Sequence, residues 1–152
     1  MKVECSINKI IVYIFSDKYL NKKIENVIKE ILLDLNKYYG IELKNSYELR
    51  LYTNKYYGMI LEITELEDVC KKNIVNLNLK ILKDSLFLFE VEDPLNYIDN
   101  EIYYYDERYF INSKKVNINL FENSNIVYGK DAYKILGNGI KLSWQKCEGG
   151  RE

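Results

Sequence analysis

Residues 20–40 read LNKKIENVIKEILLDLNKYYG, and their periodicity decides the architecture. Leu20, Ile24, Val27, Ile28, Ile31, Leu32, Leu35 and Tyr38 recur at steps of three and four, which gathers them on one face of a helix. Lys22, Lys23, Glu25, Lys29, Glu30, Asp34 and Lys37 fill the remaining surface. Ser16 or Asp17 can cap the start, and Gly40 supplies a left-handed stop after Tyr39. The pattern predicts a helix from Leu20 to Tyr39 with an apolar stripe that must be covered.

The segments around it carry strand signals. Ile7 to Phe15 is a β-branched and aromatic run, expected as a strand buried on both faces. Tyr47, Leu49 and Leu51 alternate with polar residues, and Thr53-Asn54-Lys55 turns the chain into Tyr57 to Thr64, where Met59, Leu61 and Ile63 share a face. Val75, Leu77, Leu79 and Ile81 alternate next. Leu86 to Val91, Glu101 to Tyr105 and Arg108 to Ile111 follow as further strands. Asn112-Ser113-Lys114-Lys115 reads as a hairpin loop before a strand carrying Val116, Ile118 and Leu120. Lys130 to Leu136 is a short helix ended by Gly137, and Ile140 to Trp144 a last strand. The expectation is an α+β protein: one long N-terminal helix packed on a mostly antiparallel β-sheet. Residues 1–145 are expected to form a single domain, with 146–152 a flexible tail.

Composition bounds the class. Apolar residues make up 47% of the 152-residue chain, enough for a substantial core. The longest apolar run, Ile10 to Phe15, is too short to span a bilayer, and no signal-peptide pattern follows Met1. Cys5, Cys70 and Cys147 are odd in number and far apart, which fits free thiols in a reducing cytoplasm. Lys (19), Ile (19), Asn (17) and Tyr (15) dominate while Ala occurs once, the bias of an AT-rich gene. Abundant tyrosine is therefore weak grounds for inferring a binding surface.

Charge placement is more informative. From Asp84 to Glu107 there are eight carboxylates and no Lys or Arg, leaving 15 acids against 22 bases elsewhere. The codon bias that supplies lysine makes its absence here notable. The same block holds Phe87, Phe89, Tyr97 and Tyr103-Tyr104-Tyr105. Carboxylates speed encounter with a basic protein, and tyrosine gives large contact area at low entropic cost. The expected contact surface is Glu90, Glu92, Asp93, Asp99, Glu101, Tyr103, Tyr104, Tyr105, Asp106 and Glu107. The alternative is a solvated sheet face whose acids only keep the chain soluble.

Motifs for chemistry are sparse. The chain has no histidine, which removes Ser-His and Cys-His pairs and the commonest zinc ligand. Without a CxxC, three isolated cysteines do not make a zinc site. Gly137-Asn138-Gly139 lacks the third glycine and the strand-to-helix setting of a phosphate loop. Glu42-x-Lys44 resembles the E-x-K of metal-dependent nucleases, but the nearest upstream acid, Asp34, falls on the helix. Glu90 and Glu92, two apart on a predicted strand and followed by Asp93, could hold Mg²⁺. Lysine pairs are scattered, so direct nucleic-acid binding is not expected, nor is a membrane partner or a cofactor. In general character the chain resembles the small cytoplasmic immunity proteins of bacterial toxin systems, with phage-borne nuclease inhibitors as neighbours. That likeness implies a non-catalytic protein that neutralises a basic toxin domain of the nuclease type.

Overall fold

The computed structural model describes residues 1–15, 22–54, 58–66, 77–115 and 117–143. Ser16, Asp17, Leu20, Lys55, Cys70, Val75, Val116, Trp144 and the tail from Lys146 lie outside these. Among the described residues the protein is α+β, with two five-stranded sheets where the sequence led us to expect one. Each belongs to its own compact unit, Met1–Asp84 and Ser85–Glu152. No described helix is long and apolar enough to cross a membrane.

In the first unit the sheet order is β1-β2-β4-β3-β5, with β1 Lys2–Cys5, β2 Lys9–Ile14, β3 Tyr47–Asn54, β4 Gly58–Glu65 and β5 Leu77–Leu82. All pairings are antiparallel except β3 with β5, which is parallel. Helix α1, Ile24–Tyr39, begins four residues later than its periodicity predicts, because Lys23 is extended and serves as N-cap. Gly40 at φ 64° ends it as expected, its N–H donating to the Asn36 carbonyl at 3.1 Å. Val27, Ile28, Ile31 and Leu35 are buried; Tyr38, placed on the same stripe by spacing alone, is 67% exposed.

Strand alternation delivers the surface that α1 covers. The register aligns Val12, Leu61 and Leu51 in one row and Ile10, Ile63 and Leu49 in the next. These side chains share one core with the helix stripe. Gly58, at φ 101°, stands where an added Cβ would strike the Ile14 carbonyl oxygen, so β2 and β4 can close there only around glycine. β1, which the sequence did not single out, completes a hairpin with β2. Glu42 and Lys44 are exposed in the connection between α1 and β3.

The second unit has order β10-β7-β8-β6-β9, antiparallel throughout, with β6 Phe87–Val91, β7 Glu101–Tyr105, β8 Arg108–Asn112, β9 Asn125–Tyr128 and β10 Ile140–Leu142. Helix α3, Lys130–Asn138, lays Ala132 and Ile135 on Leu88, Tyr103 and Phe110. It runs through Gly137 and is capped at Gly139, two residues later than expected. The predicted strand around Ile118 and Leu120 is instead helix α2, Ile118–Asn123. The Asn117 side chain accepts the Leu120 N–H at 3.2 Å, a local N-cap that outcompetes a strand ladder, and the turn buries Leu120 and Phe121.

Ile28→Asp should destabilise the protein by about 3 kcal/mol or more, since an unpaired carboxylate would replace a side chain sealed between α1 and the sheet. The thermal midpoint should fall by roughly 6–12 °C. A variant melting within about a degree of wild type would contradict the packing of this face.

Candidate functional site

The acidic block splits on folding. Around β6 the strand register places Glu90 opposite Phe110 and Asn125, while Glu92 falls just past the strand end at Val91. Glu92 is therefore not on the strand that their spacing placed them on together, although both line one cleft. Asp93 is the N-cap of the 3-10 helix Pro94–Tyr97, accepting the Leu95 N–H at 3.2 Å and the Asn96 amide at 3.1 Å. Glu107 sits in the two-residue turn joining β7 to β8. With Asp106 at φ 51° and Glu107 at φ 60°, flanked by the pair Tyr105–Arg108, this is a type I′ hairpin turn.

These four carboxylates border one polar cleft of about 720 Å³ where the end of β6 meets the starts of β8 and β9. Arg108 is the only cationic side chain in its described lining; Tyr97, Tyr109 and four asparagines supply much of the rest. The Arg108 guanidinium lies 3.7 Å from the Glu90 carboxylate and 3.5 Å from that of Asp106, over the Phe110 ring at 5.5 Å. Asn125 adds a 3.4 Å hydrogen bond to Glu90. Glu92, Asp93 and Glu107 are exposed. The cleft therefore presents an excess of negative charge with carboxylate and amide acceptors, chemistry suited to an ammonium or guanidinium group.

The other expected contact residues lie apart from it. Asp99 is exposed in the turn before β7, and Asp106, also exposed, is not among the residues that line the cleft. Glu101 is occupied at the opposite end of β7: it accepts the Tyr103 hydroxyl and the Asn112 amide, each at 3.1 Å, and stands 3.8 Å from the Lys141 ammonium. Tyr103 is only 7% exposed within the core under α3, and Tyr105 packs partly buried beside it. Burial, with Glu101 adding to it, pushes the Tyr103 phenol above its ordinary pKa. Tyr104 points to the opposite sheet face, its ring 5.2 Å from that of Tyr109.

Arg108, Tyr97, Tyr109, Asn119, Asn123 and Asn125 join the cleft without having been among the contact residues expected from sequence. The Asn119–Asn123 spacing of four was a usable signal, since it places both on one helical face, but it was hidden by reading α2 as a strand. Among the described residues no group of three His, Cys, Asp or Glu side chains is placed to hold a metal ion. Compared with known proteins, the chain matches no family model, no curated protein and no solved structure.

The hairpin turn offers a local test. Replacing Glu107 with Gly should raise stability by roughly 0.5–1 kcal/mol, because glycine adopts positive φ without the Cβ clash that a glutamate meets there. Urea unfolding should show a higher midpoint at unchanged slope; a loss of stability would contradict the turn geometry.

The Tyr103 environment gives a pH dependence of defined sign. A phenol whose folded pKa is raised stabilises the fold fully below its unfolded pKa of about 10 and loses that contribution as pH climbs through the folded value. Tyr103→Phe should therefore flatten part of the alkaline decline in stability above roughly pH 10. An unchanged alkaline profile would contradict it.

Proposed function

We propose that this chain is a non-catalytic cytoplasmic binding protein that neutralises a basic protein partner, an immunity protein against a bacterial toxin of the nuclease type. The observation that carries the proposal is the cleft of the second unit, which Glu90, Glu92, Asp93 and Glu107 line together with a single described arginine. Nucleases present cationic surfaces to the phosphate backbone, and a carboxylate-rich cleft competes for those same side chains. The contact surface we propose is narrower than the acidic block itself. It centres on the cleft carboxylates with Tyr97 and Tyr109, whereas Glu101 and Tyr103 serve the fold.

An alternative is a Mg²⁺-dependent enzyme using Glu90, Glu92 and Asp93, which do border one cleft. Against it stand the present engagements of two of those groups. Asp93 is committed to capping, and Glu90 to Arg108 and Asn125. Saturable thermal stabilisation by Mg²⁺ that disappears in Glu90→Gln would favour the enzyme.

The direct test is co-expression with the product of the adjacent gene, followed by capture and stopped-flow association. Glu92→Lys combined with Glu107→Lys reverses two exposed charges that the fold does not use. It should slow association by about 10- to 1,000-fold and reduce its salt dependence, since screening acts over about 8 Å at physiological ionic strength. No complex, or an unchanged rate and salt dependence, would sink the proposal.

A further inference from the structure

Strand β5 ends its sheet. It pairs with β3 on one side, and among the described residues no strand pairs on the other. At six residues it is the longest outer strand of either sheet, against four for β1, four for β9 and three for β10. A row of unpaired N–H and C=O groups is a template for another strand, and proteins commonly blunt such edges with charge. β1 carries Lys2 and Glu4, whereas β5 carries only Lys80.

Its side chains reinforce the opening. The register Tyr47–Leu77, Leu49–Leu79 and Leu51–Ile81 puts Leu77, Leu79 and Ile81 on the face that α1 covers. The helix reaches their β3 neighbours but leaves these three 41%, 38% and 38% exposed. An apolar groove of about 450 Å³ adjoins Leu77, lined also by Leu32, Leu33, Ile41 and Leu43 among others.

We propose that β5 pairs antiparallel with β5 of a second copy of this chain, about a two-fold axis through Leu79. The strand's own sequence selects both partner and register. Directly opposed residues of an antiparallel pair lie on the same face, so apolar ledges meet only in registers that keep odd-numbered residues opposite odd. Centring on Leu79 sets Leu79 against its mate, Leu77 against Ile81, and Asn78 against Lys80, twice each for the last two pairs. Centring on Lys80 would oppose two ammonium groups, and centring on Asn78 would leave Ile81 beyond the overlap. The favoured register alone joins the two apolar ledges in full while keeping the cations apart. It is isologous, as a closed dimer requires. The overlap runs from Leu77 to Ile81, five residues on each strand, which is small against the roughly 1,200 Å² of a stable interface, so the dimer is concentration-dependent.

Sedimentation equilibrium of the full chain across a concentration series tests this. Wild type should move from 18.1 kDa towards twice that mass. Leu79→Lys and Leu79→Glu should each remain monomeric, because each places two like charges opposite one another, while an equimolar mixture of the two should recover a dimer. Asn78→Glu, which would face Lys80, should tighten the dimer, lowering its dissociation constant about tenfold, and Asn78→Lys should raise that constant, with far-UV circular dichroism confirming that each variant is folded. A wild-type chain that stays monomeric would leave the edge to some other strand and overturn the proposal. So would single Leu79 variants that dimerise like wild type, or a mixture that fails to recover.

Discussion

Antiparallel pairing of β6 with β8 in a single register, Glu90 opposite Phe110 and Phe89 opposite Ile111, is the constraint on which the second unit depends. Side chains alternate across a strand with a period of two, so a slip by one residue would exchange the two faces entirely. In the observed register Phe87 and Phe89 fill one face, and Leu88 meets Phe110 and Tyr103 beneath α3 on the other. Glu90 continues the Leu88 side, opposite Phe110. The apolar run thus ends in a carboxylate at the sheet margin, held by Arg108 from β8 and Asn125 from β9.

The charge on this margin is arranged rather than merely accumulated. Ion pairs as exposed as those of Arg108 contribute at most about 1 kcal/mol, so their consequence is chiefly positional. Arg108 engages Glu90 and Asp106 and lies over Phe110, which fixes one cation at the border of the cleft and leaves Glu92 and Glu107 exposed. The I′ turn holds Glu107 there at positive φ, a conformation that glutamate adopts at a cost. Asp93 has a double part: its carboxylate caps the 3-10 helix that carries Asn96 and Tyr97 to the cleft. Fold and charge distribution therefore rest on overlapping residues, and Glu101, at the far end of β7, belongs wholly to the fold.

Much of the local structure was legible in the amino-acid sequence because it follows from periodicity. The stripe Val27, Ile28, Ile31 and Leu35 identified α1, and alternation located β3, β4, β6, β7 and β8. Pairing order was not legible, since nothing in an alternating strand says that β4 lies between β2 and β3 or that β5 runs parallel to β3. Division into two sheets was hidden for the same reason. α2 was missed because six residues hold too few turns to show a helical period, and its start is set by the single hydrogen bond of Asn117. For the candidate site, the acidic excess marked a stretch of chain of which Glu90, Glu92, Asp93 and Glu107 line one cleft. Which of its members converge was decided by long-range register, which brings Asn125 and Arg108 to Glu90 and turns Tyr103 inward.

The claim that the acidic cleft is the binding surface is tested most directly by nuclear magnetic resonance of the isotope-labelled chain, titrated with the captured partner protein. The account predicts the largest shift changes at the backbone amides of Glu90 to Tyr97, Glu107 to Tyr109 and Asn119 to Asn125, three separate stretches that meet only at the cleft. Changes confined to the first unit, or centred on Glu101 and β10, would contradict it.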